Sequence, residues 1–275
     1  MPAAVKPQHI GGYQITRLYD GLYEAGIEVF THSAGPGARR RALAGWSASK
    51  LQVDVNCYAL ARADGLTLID AGTGEAWGPN FGHARLALRN AGFAPADVTR
   101  VLLTHIHGDH ALGLLDGERD YFPHAEIWTP ARELAFYTNP KARAAAPEPL
   151  LGVFAIADQL AAAYGGRVKS VADGNVLPSV EALPMPGHTP GHTGYLIRGE
   201  GEDLLLWGDL LHVGELQAPD PELGIIFDLA PETAAKSRRD ILARASDEGW
   251  IVAGGHTSGF CRVLREGAGF RMTPA

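Results

Sequence analysis

The sequence predicts a mixed α/β fold over residues 1–275, and three patterns carry that prediction. Val53–Ala61 and Leu66–Ile69 are strand-like runs flanking Asp64-Gly65, a dipeptide suited to a tight hairpin turn. Helical patterns cover Leu151–Tyr164, closed by Gly165-Gly166, and Glu232–Asp247, with Pro231 at the first turn and Gly249 past the end. There is also a weak internal echo. Leu66-Thr-Leu-Ile-Asp70 resembles Leu204-Leu-Leu-Trp-Gly-Asp209, and Arg100-Val-Leu-Leu-Thr-His105 resembles Trp250-Ile-Val-Ala-Gly-Gly-His256. Hairpins mixed with helices exclude a simple doubly wound sheet. Two similar halves packed face to face would bring the four strand ends to one edge. No linker divides the chain, so residues 1–275 are read as one domain.

The remaining elements follow in order. Tyr13–Tyr19 alternates as a strand. Thr31–Ser49, rich in Gly, Ala and Arg, reads as a surface loop, with Arg39-Arg40-Arg41 solvated. Phe81–Ala91 looks helical, and Gly92 stops it. Val101–Leu103 is a short buried strand running into a histidine-rich turn. Ala125–Trp128 is a strand, followed by a helix near Ala131–Tyr137. Asn139–Leu150 carries three prolines and reads as a flexible connection. Strands are expected at Val180–Leu183, Gly194–Ile197, Asp203–Trp207 and Trp250–Ala253, and the tail from Phe260 also reads as a strand.

Composition narrows the function. The 275 residues are 46% hydrophobic, enough for a sizeable core, and carry a net charge of -7, which disfavours nucleic acid as a partner. Met1–Ile10 has no apolar signal core, and no stretch approaches the ~18 apolar residues of a membrane span. The expectation is therefore a cytoplasmic protein without a membrane partner. Cys57 and Cys261 are the only two cysteines and are read as small hydrophobes, which leaves no thiolate zinc site.

The chemistry concentrates in His105-Ile-His-Gly-Asp-His110, directly after a buried strand. Imidazole and carboxylate suit Zn²⁺ and similar divalent ions. In an extended turn His105 and His107 point the same way and can grip one ion, while Asp109 and His110 can face a second. Asp109 alone would do equally well as a helix cap. Three histidines in six positions, in a chain with 11, argue for the cluster acting together. Downstream, His188 lies in the glycine-bounded Pro186-Gly-His-Thr-Pro-Gly-His192. Asp209 ends an apolar strand, where an unpaired carboxylate is costly without a cation. His256 follows an apolar strand and two glycines.

With those residues in place, the chain resembles the metallo-β-lactamase superfamily over nearly its whole length. Its HxHxDH motif matches His105, His107, Asp109 and His110, and the downstream His, Asp and His match His188, Asp209 and His256. The resemblance implies a four-layer αββα sandwich. It implies one ion on His105, His107 and His188, a second on Asp109, His110 and His256, and Asp209 bridging them. Asp70 matches an early aspartate that orients ligands. Zn²⁺ is the expected ion, with Mn, Co and Fe as alternatives. Two cations ~3.5–4 Å apart would share a water and turn it into hydroxide near neutral pH, and Asp109 and Asp209 would accept or orient its proton.

A bridging aspartate departs from the β-lactamase branch, and the strand-like tail departs from the helical C-terminal domain of glyoxalase II. The segment Trp207–Val213 with Gln217 is similar to the methyl parathion hydrolase group, so a small lactone or ester is the expected substrate, with phosphotriesters as a further candidate. β-Lactam or thioester hydrolysis is the alternative. An iron-dependent redox relative or a non-enzymatic binding module is the other class considered, and the full ligand set disfavours the latter. Where related lactonases place a tyrosine, this chain has His212, which either donates to the substrate or is satisfied by backbone. His192 is read as supporting or structural, and His9, His32, His83 and His124 as surface or core. Trp128, Phe136, Tyr137, Leu210 and Leu216 are read as core first and pocket wall second, with Leu210, Leu211 and Leu216 favouring a substrate with an apolar portion. A homodimer is compatible with the sequence, which does not fix the oligomeric state.

Overall fold

A computed structural model describes residues 5–275. The first half of the chain forms strands Gln8–Ile10 (β1), Tyr13–Gly26 (β2), Phe30–His32 (β3), Lys50–Arg62 (β4), Gly65–Ile69 (β5), Val98–Leu102 (β6), Leu115–Asp116 (β7), Arg119–Asp120 (β8) and Glu126–Pro130 (β9). The second half adds Val168–Val171 (β10), Gly174–Leu177 (β11), Val180–Pro184 (β12), Thr193–Ile197 (β13), Leu204–Leu206 (β14), Leu223–Ile225 (β15), Ile251–Ala253 (β16), Cys261–Glu266 (β17) and Gly269–Pro274 (β18). The helices are Pro36–Ala42 (α1), Ala84–Asn90 (α2), Gly108–Ala111 (α3), Ala131–Tyr137 (α4), Pro140–Ala145 (α5), Glu148–Tyr164 (α6), Gly214–Gln217 (α7) and Pro231–Asp247 (α8).

Two seven-stranded sheets result, ordered β1-β2-β4-β5-β6-β9-β10 and β11-β12-β13-β14-β16-β17-β18. Strand parity explains their stacking, because successive side chains point to opposite faces. Tyr58 and Leu60 of β4 pack in one cluster with Tyr195, Ile197, Leu204, Leu206, Ile251 and Ala253 of the second sheet. Their neighbours Cys57 and Ala59 face the other way, onto a cluster holding Leu88 of α2, Tyr137 of α4 and Phe154 of α6. Leu196, Leu205 and Val252 likewise turn outward to Ile241, Leu242 and Ala245 of α8. The layers are therefore helix, sheet, sheet, helix, as the resemblance implied. Burial on both faces is also why the central strands read as continuous apolar runs.

The internal echo is a real correspondence. β5 and β6 pair in parallel in the first sheet, and β14 and β16 pair in parallel in the second. The chain leaves these four strands toward Asp70, His105, Asp209 and His256, which meet at one edge of the sandwich. The predicted hairpin forms, but Arg62 pairs with Gly65, so its two turn residues are Ala63 and Asp64, and Gly65 opens the next strand at a φ of 150°.

Two segments differ from expectation. Thr31–Ser49 is not simply a loop: Phe30–His32 pairs with β15, and α1 follows with Pro36 in its first turn. Arg39 is not merely solvated, since its guanidinium donates to the carbonyls of Phe30 and Ile27. Asn139–Leu150 is not a flexible connection. Pro140 and Pro149 sit in first turns, where they lack only an orphan N–H, and Pro147 is the residue before α6; the Asn139 side chain accepts from the backbone N–H of Lys141 at 2.9 Å. No helix among the described residues is long and apolar enough to cross a membrane.

Candidate metal centre and its cavity

The HxHxDH segment leaves β6 and curls into the one-turn helix α3. His105 and His110 are fully buried there. The structure brings the seven expected residues into two groups, His105, His107, His188 and Asp209, and Asp109, His110, Asp209 and His256, with the offered atoms of each group within 4.8 Å of one another. Asp209 belongs to both. Its Oδ1 is 3.0 Å from His110 Nε2, and its Oδ2 is 3.1 Å from His256 Nε2 and 3.4 Å from His188 Nε2.

Outer hydrogen bonds fix which nitrogen each imidazole presents. Thr104 Oγ1 donates to Asp70 at 2.8 Å, so it accepts from Nδ1 of His105 at 3.0 Å. His110 Nδ1 donates to Asp70 at 2.7 Å, His188 Nδ1 to Asp228 at 3.1 Å, and His256 Nδ1 to the carbonyl of Asp54 at 2.8 Å. These rings therefore turn Nε2 inward. His105 Nε2 and His188 Nε2 lie 3.1 and 3.0 Å from His107 Nδ1. One proton on His107 can satisfy only one of those contacts, whereas a cation among the three nitrogens satisfies all. His110 Nε2 and Asp209 Oδ1 are buried 3.0 Å apart, and neither has a well-aligned hydrogen-bond partner. The donor set and its orphaned atoms thus fit divalent ions.

The electrostatics agree. Burial, and then the neighbouring His110, hold His105 well below the usual imidazole range, so it is a neutral donor. Burial would do the same to His110, but Asp209, Asp109 and Asp70 overcome it and push its pKa well above that range. Burial opposes ionisation of Asp209 too, yet His110, His256 and His105 hold it well below the carboxylate range. The centre attracts positive charge.

His192 stands one step back, its Nδ1 donating to the Met185 carbonyl and its Nε2 accepting the backbone N–H of Asp209, each at 3.0 Å. His212 stacks on His256 with ring centroids 4.6 Å apart, and its Nε2 lies 3.3 Å from Asp209 Oδ2. Its ring faces a cavity of about 640 Å³ that also touches His107, Asp109, His188, Asp209 and His256.

Four separate segments wall that cavity: Tyr23 and Ala25 of β2 with Val29 and Phe30, Leu51 and Val53 of β4, Pro147–Val153 at the start of α6, and Ile225–Leu229 after β15. Trp77 closes a further side and packs against Tyr23 and Phe81. Among the described residues no Lys or Arg lines it. The residues read as core first and pocket wall second are not among those that line it. Phe136 and Tyr137 pack on Phe154, Trp128 packs near the inter-sheet core, and Leu210 and Leu211 sit under α8. Leu216 supports the cavity from behind, in a cluster with Phe30, Val213 and Ile225. They fill the core because their strand and helix faces point there.

Several residues at the site had no sequence signal of their own. Glu133 of α4 is fully buried and accepts from the N–H of Ile106, the hydroxyl of Thr189 and the N–H of Gly191, tying the His105–His107 turn to the His188 loop. Burial raises its pKa against those hydrogen bonds. Asp54 contributes through its backbone and Asp228 through its side chain. The run Ile225-Ile-Phe-Asp-Leu229 was a usable signal, being an apolar stretch broken by one acid just before the Pro231 helix start.

Comparison with known proteins agrees with this geometry. Residues 52–256 match the family model described as the metallo-beta-lactamase superfamily. The chain is 30% identical over 163 residues to the uncharacterized protein YobT of Bacillus subtilis (strain 168), and the match spans 56% of this chain and 61% of that relative's length. The solved structure of hydrolase AbOPH, of the beta lactamase superfamily, superposes with a TM-score of 0.90 at 26% identity, covering 100% of this chain and 98% of that one. AidC, a dizinc quorum-quenching lactonase solved with the product N-hexanoyl-L-homoserine, gives 0.88 at 25%, covering 99% and 97%. The two-sheet sandwich, the ligand atoms gathered at its edge and the match over most of its length agree: the chain belongs to the metallo-β-lactamase superfamily.

Proposed function

We propose that this chain hydrolyses uncharged esters, lactones among them, that carry an apolar arm. Two divalent ions would be held by His105, His107 and His188 and by Asp109, His110 and His256, with Asp209 between them. The observation that carries the reading is that both ligand groups open into one cavity with an apolar wall and no cationic side chain. The dizinc lactonase among the similar structures favours Zn²⁺ as the ion. When bound, such a pair supplies Lewis acidity and a water activated near neutral pH.

The chain's own residues do the rest. Asp109, at the cavity floor, is placed to orient the attacking water and take its proton. The apolar walls hold the arm and exclude water from around the ester carbonyl. His212 presents its ring to the same space and is placed to donate to the carbonyl or leaving oxygen. Burial keeps its pKa down at about 4 despite Asp209, so it is a neutral donor at pH 7. β-Lactams carry a carboxylate, and no Lys or Arg in this cavity wall offers it a partner.

The test is a substrate panel on the zinc-reconstituted protein: a long-chain lactone, an aryl ester, a paraoxon-type triester, a thioester and a cephalosporin. The lactone or the ester should have the highest kcat/KM. A cephalosporin better by tenfold, which is about 1.4 kcal/mol in the transition state, would overturn the reading.

A further inference from the structure

The loop that walls the cavity also carries a carboxylate that points away from it. After β15, Ile226, Phe227 and Leu229 line the cavity and are 58%, 43% and 39% exposed. Asp228, between them, turns inward and is 6% exposed. Its Oδ1 lies 3.1 Å from His188 Nδ1, and its Oδ2 accepts from Arg238 at 3.0 Å and from the Ile225 N–H at 3.3 Å. Arg238 comes from α8, is 2% exposed, and is anchored by its Nε donating to the Pro221 carbonyl at 2.7 Å. The backbone doubles the link, since the N–H of Leu229 donates to the His188 carbonyl and that of Ala230 to the Gly187 carbonyl. A Cβ at Gly224 would lie 2.8 Å from Asp228 Oδ2, so the ion pair is packed tightly against the strand.

A buried ion pair is seldom retained for stability, because desolvation offsets most of its attraction. Here it has a specific acceptor task. A carboxylate held by Arg238 keeps the proton of His188 on Nδ1, fixes the ring plane, and leaves Nε2 facing His107 and Asp209. Phe227 and Leu229 flank that carboxylate directly, so the wall and the group that holds the His188 ring share one short piece of backbone.

We infer that Asp228, held by Arg238, is a positioning residue that sets occupancy of the ion site built on His105, His107 and His188, without acting on the site built on Asp109, His110 and His256. The inference rests on the two-ion reading above. Asp228 touches neither substrate nor reacting atoms and acts through His188.

Chelator competition on the zinc-loaded protein tests it, with the visible spectrum of the cobalt-substituted protein as a second readout. The wild type should release two ions in resolvable steps. Asp228→Asn keeps the volume but offers a donor amide. It should weaken one step by about 10–100-fold and leave the other within about threefold, as measured. His188→Ala should weaken the same step, and adding Asp228→Asn to it should cause no further loss, as expected for residues acting as one unit. Arg238→Lys, which keeps the charge but loses the fork, should weaken that step less, and serves if the Asp228 variants do not fold. Equal weakening of both steps, two unchanged steps, or additive losses in the double variant would overturn the positioning role while leaving the two-ion reading intact. A wild type that never binds two ions would overturn the two-ion reading, and this inference with it.

Discussion

Gly255→Ala adds one methyl group to the chain and should disable the centre without unfolding the protein. Gly255 is not among the glycines at positive φ, so alanine adds no backbone strain there. The new Cβ, however, would lie 2.6 Å from Asp209 Oδ1 and 2.8 Å from His110 Cε1, against an ordinary contact of 3.4 Å. The carboxylate oxygen must therefore retreat by about 0.8 Å if it alone yields. Metal–ligand distances tolerate roughly ±0.2 Å, so the displacement is several times what a bridging ligand can absorb. The backbone is poorly placed to yield instead. Gly255 donates its N–H to Gly208 at 3.0 Å, and its carbonyl accepts from the Asn56 backbone at 2.9 Å and the Asn56 side chain at 3.1 Å. Overpacking of this kind costs about 1–3 kcal/mol of stability. An ångström-scale misplacement at a reacting centre costs about 10²-fold in rate. The assays are thermal unfolding of the metal-free protein, metal content after dialysis, and kcat/KM on the best ester. A variant that keeps both ions and stays within threefold of wild-type kcat/KM would refute the close packing of Gly255 on the Asp209 carboxylate.

Three further outcomes are expected. Asp209→Ala removes the carboxylate common to both ligand groups and should lose both ions, whereas His192→Ala, whose Nε2 only accepts the Asp209 N–H, should keep both; elemental analysis showing the reverse would mean that the wrong histidine of the pair was assigned. Phe227→Asp places a charge on a 43%-exposed cavity residue and should raise KM for long-chain esters by about 10-fold or more, given ~1.5–3 kcal/mol for burying a Phe, with metal content unchanged; an equal effect on an acetate ester would contradict the proposed binding of the apolar arm. Burial pushes the Tyr164 phenol up to about 12, so it ionises more easily in the unfolded chain than in the folded one. Its contribution is present in full below pH 10 and is lost between pH 10 and 12, a loss of order 2–3 kcal/mol; Tyr164→Phe should flatten denaturant-measured stability across that window, and an unchanged slope would contradict the buried phenol.

The sequence was most legible where burial acts on consecutive residues. β14 and β16 are buried on both faces, so Leu204–Leu206 and Ile251–Ala253 stand out as apolar runs whatever their partners are. Gly249 and Pro231 bound α8 for local steric reasons that need no tertiary context. The three-residue strands β3 and β15 were illegible for the opposite reason. They are too short to show alternation, and each has a hydrogen-bond partner only because the other is there. α1 gave no apolar stripe, since it buries only Ala38 and is fixed instead by Arg39 reaching two carbonyls of the preceding segment.

The same division separates the metal centre from the cavity. Four of the expected ligands fall within six residues because one tight turn after β6 can aim them at two adjacent groups, and a short spacing with few alternatives is visible in a sequence. A cavity wall obeys no such spacing. Tyr23, Leu51, Leu150 and Phe227 come from four segments, and each is an apolar residue that would serve equally well in a core. What marks Phe227 as wall is its neighbour: the fold buries Asp228 against His188 and Arg238, which leaves the residues on either side to face outward. The specificity of such a site therefore follows less from which apolar residues the chain contains than from which polar residue is anchored beneath them. Variation along 225–229 that keeps Asp228 should reshape the cavity while sparing the metal ligands, whereas loss of Asp228 should disturb both, since His188 and the wall hang from the same carboxylate.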